Sequence, residues 1–138
     1  MITRVLKASA KEFKAMSSAD LLESIRKSEG RTIVTEIIAP LQPVLNKVTN
    51  AELAAAMGSD IMLLNMFDVQ NPFIYGLPQC EPDDTIRVLK ELIGRPIAIN
   101  LEPAVNPNEE NPDSAPWVEG RAATAENARK AVDMGVDL

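Results

Sequence analysis

Four times along the chain a helix-like stretch ends in glycine and passes at once into an apolar run, at Gly30, Gly58, Gly94 and Gly135. Glycine accepts the left-handed conformation that closes a helix, so helix, glycine, short turn and strand form the αβ half of a repeating βα unit. Before Gly30, Ser9 with Glu12 and Ser17 with Asp20 have capping-box spacing. Phe13, Met16, Leu21, Leu22 and Ile25 then recur at helical intervals, which predicts two short amphipathic helices or one bent one. Residues 33–39 make a β-branched, almost continuous apolar run interrupted by Thr35 and Glu36, which predicts a strand buried on both faces.

The following units repeat this order. Asn50 is the expected cap of a helix with Leu53, Ala54 and Met57 on one face, and residues 61–67 read as the second strand. Asp83 or Asp84 would cap a helix carrying the stripe Ile86, Leu89 and Ile93, followed by a third strand over 97–101. Thr124 would cap a last helix with Ala128, Ala131 and Val132 inward, and a fourth strand barely starts before Leu138. Strand and crossover helix in alternation imply parallel strands with right-handed connections. The expected fold is α/β, a partial (half) TIM-type (β/α) barrel, with residues 1–30 as a helical extension. Residues 31–138 would hold three βα units and the start of a fourth strand, as in a truncated single domain, since a full barrel takes about 250 residues.

Helix-to-strand connections are short, whereas the strand-to-helix loops at 40–49, 68–82 and 103–123 are long. Those loops lie at the carboxyl ends of the strands, where barrels and open α/β sheets bind ligands. The third, with the single tryptophan Trp117, reads equally as a lid or as a solvated excursion. Half a barrel would expose strand edges and an apolar inner face, so self-association into a homo-oligomer is expected.

Composition narrows the chemistry. A net charge of −6 argues against a phosphate-backbone partner, so no nucleic acid is expected. No apolar run approaches the ~20 residues that cross a bilayer, and Arg4 and Lys7 precede no secretory pattern; no membrane association and a cytoplasmic location are the expectation. Histidine is absent, which removes the commonest general base and zinc ligand, and the lone Cys80 reads as a bystander. Each crossover helix has a carboxylate in or near its first turn (Glu52, Asp84 and Glu126), and there is no glycine-rich phosphate loop.

The polar exceptions within the apolar strands therefore carry the candidate site: Glu36, Asn65, Asp68, Asn100 and Glu102. Alternation along the third strand puts Asn100 and Glu102 on the side of Ala98, with Ile97, Ile99 and Leu101 on the other. Converging carboxylates and amides suit a small oxygen-rich ligand. Glu36 and Glu102 would act as catalytic acid and base or as ligands of a magnesium or manganese ion, while Asn65, Asp68 and Asn100 would bind substrate. Such acids can instead serve as braces to Arg95 or Arg121.

Residues 50–54 (NAELA), 64–69 (LNMFDV), 94–103 (GRPIAINLEP) and 120–124 (GRAAT) resemble the amino-terminal half of a bacterial family of uncharacterised (β/α)-barrel-like proteins. Its members are often encoded near sugar phosphotransferase-system genes and sometimes carry a haloacid-dehalogenase-like hydrolase label. The resemblance covers nearly the whole chain. It implies a barrel fold and a continuation past Leu138, and it brings no catalytic residues. The two aspartates, one residue apart after an apolar strand, that such hydrolases use are not in this sequence. The functional expectation is a hydrolase or lyase domain for a small oxygen-rich metabolite, a sugar derivative among the candidates. The alternatives are a non-catalytic metabolite-binding or regulatory module, or an inactive fragment of the larger barrel.

Overall fold

The computed structural model describes residues 2–103 and 118–138; Trp117 and most of the third long loop lie outside the described residues. Two helices open the chain, α1 (Ala10–Ala15) and α2 (Ser18–Lys27), separated by Met16 in extended conformation (ψ 135°). Both predicted capping boxes form. Ser9 and Ser17 accept from the backbone N–H of Glu12 and Asp20, and each acid accepts in return from the serine N–H. Val5, Ala8, Phe13 and Leu21 bury themselves together, with Met16 and Ile25 alongside, as a small core of their own.

The rest is a mixed α/β unit: β1 (Val34–Ile38), α3 (Asn50–Ala56), β2 (Ile61–Asn65), α4 (Thr85–Ile93), β3 (Ile97–Ile99) and α5 (Ala125–Met134). The strands form a parallel three-stranded sheet in the order β1-β2-β3, with Glu36 opposite Leu63 and Leu63 opposite Ala98. In-register residues of a sheet share a face. Ile37, Leu64 and Ile99 therefore look one way with Met62 and Ile97, into a core completed by Ala51 of α3, Ile86 and Leu89 of α4, and Ala131 and Met134 of α5. Val34, Glu36 and Ile38 look the other way and are exposed. After α5 the chain returns beside β3: Asp137 N–H donates to the Ile97 carbonyl (2.8 Å), and Ile99 N–H donates to the Leu138 carbonyl (3.2 Å).

Several local expectations need correction. Thr49, not Asn50, caps α3. Its hydroxyl accepts from Glu52 N–H while the Glu52 carboxylate accepts from Thr49 N–H, and Asn50 turns its Oδ1 back to Val44 N–H (3.0 Å). Asp84 makes no cap bond; it pairs with Arg87. Met57 and Val132 are exposed, and the inward residues of α5 are Asn127, Ala131 and Met134. Asn127 can sit inside because its amide nitrogen donates to the carbonyls of both Glu119 and Ala122. The first strand is not buried on both faces. Among the described residues it is an edge strand with helices over one side only, and its residues alternate between exposed and half-buried.

Candidate functional site

The expected polar residues lie on two patches, one running from the middle of β1 to the end of β2 and one beyond the end of β3. The first lies on the sheet face turned away from the helices. Glu36 in β1 and Asn65 at the end of β2 meet there, the Asn65 amide donating to Glu36 Oε1 at 2.9 Å. The other end of the amide is also committed: Asn65 Oδ1 accepts from the N–H of Met66 at 2.8 Å. Met66 has φ +58°, a conformation that costs a bulky side chain about 1 kcal/mol or more, so the strand ends in a strained turn tied to the asparagine. The alternating pattern continues to Asn100, which follows β3 and whose N–H donates to the Leu64 carbonyl (3.3 Å), extending the register that sets Asn100 beside Asn65.

The second patch lies further along, where the chain re-enters before α5. Glu102 pairs through its backbone with Ala122, and its carboxylate pairs with the guanidinium of Arg121. Arg121 is buried and Glu102 about half exposed, so this acid is a brace that neutralises an interior cation. Asp68 is committed as well. Its Oδ1 accepts from the N–H groups of Gln70 (2.8 Å) and Asn71 (3.1 Å), and its Oδ2 accepts from the Asn71 amide (3.1 Å). Burial acts to raise its pKa, but the Asn71 side chain, the two backbone donors and the charge of Lys130 outweigh it and hold the carboxyl below its usual range. Gly120 sits against this turn so closely that a Cβ there would overlap the Asp68 carboxylate, and Val69 N–H donates to the Gly120 carbonyl (3.1 Å).

Glu36 and Glu102 are not brought together. In register Glu36 lies across from Ala98, and Glu102 is four residues beyond Ala98, which puts the two about 10 Å apart across the sheet and about 13 Å along it. That spacing does not fit one magnesium or manganese ion shared by both carboxylates. Among the described residues no three Asp, Glu or Cys side chains converge as a metal site would need. The donors that do converge, one carboxylate and neighbouring amides, suit hydroxyl groups, which can both donate and accept. Sequence reasoning missed Gly120 and Asn127. Neither carried a local signal, since the need for glycine at 120 comes from the Asp68 carboxylate, which is distant along the chain.

A family model described as a domain of unknown function (DUF7916) matches residues 6–138. No curated protein and no solved structure matches the chain.

Proposed function

The chain belongs to the DUF7916 family, and from that premise we propose that it is a sector of a (β/α) barrel whose helix-free sheet face binds a small oxygen-rich metabolite. Three features support the barrel reading. The strand order is strictly sequential, the three crossover helices contribute to a single core on one face, and the chain comes back beside β3 after α5. A doubly wound sheet would reverse its order and place helices on both faces. The resemblance to the bacterial barrel-like family agrees with this reading. Self-association that covers Val34 and Ile38 belongs to the same proposal.

The observation that carries the binding reading is the hydrogen bond on that face between Glu36, in the middle of β1, and Asn65, at the carboxyl end of β2. Glu36 is the group able to exchange a proton with a ligand, as hydrolase or lyase chemistry requires, while Asn65 and Asn100 orient hydroxyls. Glu102 and Asp68 shape the rim through Arg121 and the 68–71 turn. Titration with a panel of polyols and sugar acids, followed by backbone amide NMR, tests this. A member of the panel should saturate shifts in β1 and β2, and Glu36→Gln and Asn65→Ala should each weaken it by about tenfold or more, the effect of a lost hydrogen bond to a charged group. Equal affinity in both variants would remove the site.

A further inference from the structure

The opposite end of the sheet holds a second feature that the candidate site does not use. Between α1 and the carboxyl ends of α4 and α5 lies a cleft of about 660 Å³, walled by Gly94 and Gly135 and by the cations Lys11, Lys14, Arg87, Lys90 and Arg95 against one acid, Glu91. Such a surplus of positive charge is unexpected in a chain of net charge −6.

Part of the surplus has a structural cause. Helix carboxyl ends carry partial negative charge. Arg87 donates to the Asp133 carbonyl (2.9 Å) and to Asp84, and Lys90 donates to the Gly135 carbonyl (3.1 Å) and to Asp137 (2.7 Å). These two cations are accounted for. Lys11, Lys14 and Arg95 are not: none forms an ion pair among the described residues, and both lysines are exposed.

The backbone that carries them is nonetheless packed in place. Gly94 has φ +61°, and a Cβ on it would come within 2.7 Å of Ala10 Cβ, so α1 rests directly on the end of α4 and carries Lys11 and Lys14 to the cleft wall. Arg95, the next residue, lies over the ring of Phe13 at 5.7 Å, which restrains its guanidinium while leaving its donors available. Cations carried on a packed wall, without counter-charges among the described residues, form a receptor for a small anion.

We propose that this cleft binds a small polyanion carrying two or more phosphate or carboxylate groups, with Lys11, Lys14 and Arg95 supplying the charge. The site lies at the far end of the sheet from Glu36 and Asn65, so its failure and that of the polar face are separable. Isothermal titration of the full chain with pyrophosphate, and in parallel with citrate, distinguishes the two anion chemistries. Saturable binding of at least one is expected, weakened as salt rises through the range where the screening length falls below about 10 Å. A solvated charge contact is worth a factor of up to about five, so the double variant Lys11→Glu, Lys14→Glu should bind at least about tenfold more weakly. Arg95→Gln should bind a few-fold more weakly, and Arg26→Gln, remote on α2, should match the parent. Circular dichroism checks that the variants keep their helices. Absence of saturable binding of either anion, or equal loss in Arg26→Gln, would overturn the proposal.

Discussion

Strands β1 and β2 are paired in register over five residues each and have opposite surroundings. VTEII is exposed and half-buried by turns, while Ile61, Met62 and Leu64 of IMLLN are almost wholly inaccessible. Glu36 accounts for part of the difference, but Val34 and Ile38 are apolar and still exposed, which position explains. β2 has a strand on either side and helices over one face, whereas β1 has β2 on one side and no described strand on the other. An apolar, β-branched run therefore specifies a strand, and the neighbours decide how much of it leaves water.

The sharpest way to break this comparison is to truncate one residue in each strand. Leu64→Ala removes a side chain with no exposed surface from the centre of the core and should cost about 2–5 kcal/mol in chemical unfolding. Ile38→Ala, 38% exposed in the parent, should cost about 0.5–1 kcal/mol. Similar losses would mean that β1 is covered in solution by something outside the described residues, a second copy of the chain included.

A second contrast sets the two glutamates apart. Glu36 lies on the solvated edge and holds only the Asn65 amide, while Glu102 neutralises the buried Arg121, whose Nε has no partner among the described residues. Glu102→Gln should therefore cost about 1–2 kcal/mol, reduced from the fully buried case because the carboxylate is half exposed, and Glu36→Gln no more than about 0.5 kcal/mol. The order of the two unfolding midpoints is the check. A larger loss at Glu36 would mark it as structural and weaken its assignment to ligand binding.

What was legible in the sequence was local. Gly30, Gly58, Gly94 and Gly135 all adopt positive φ, and Ser9, Ser17 and Thr124 cap helices, because each signal acts within about four residues. Alternation in the third strand also placed Ala98 and Ile99 on their proper faces. Burial of β1 was not legible, since it depends on which segments lie beside it. The inward face of α5 was misread for a similar reason: Ala128 and Val132 were expected inside with Ala131, and Asn127 is inside instead because residues 119 and 122 supply carbonyls to its amide. At the candidate site the residue types were visible from sequence, and a brace to Arg121 was among the readings, but which acid takes which role was not. That Glu102 belongs to Arg121 and Asp68 to the 68–71 turn follows from partners brought in by the 118–122 segment and by the turn itself.

The loops leaving the two strands give the smallest and most selective test. The loop after β1 is tied by an amide, Asn50 Oδ1 to Val44 N–H, and the loop after β2 by a carboxylate, Asp68 to Gln70 and Asn71. Only the second can titrate. The folded Asp68 pKa lies below its unfolded value of about 3.9, so the unfolded chain takes up the proton first. The stability this turn contributes is thus fully present above about pH 4 and is lost as the pH falls through the lower, folded pKa. Amide resonances of Gln70 and Asn71 should therefore move with a midpoint below the ordinary aspartate value, and that transition should vanish in Asp68→Asn. The Val44 resonance should stay unchanged over the same range. A midpoint at or above about 3.9 for Gln70 and Asn71 would mean that burial outweighs the donors, and a shift at Val44 would mean that acid loosens both loops together and that the contrast between the strands does not extend to their ends.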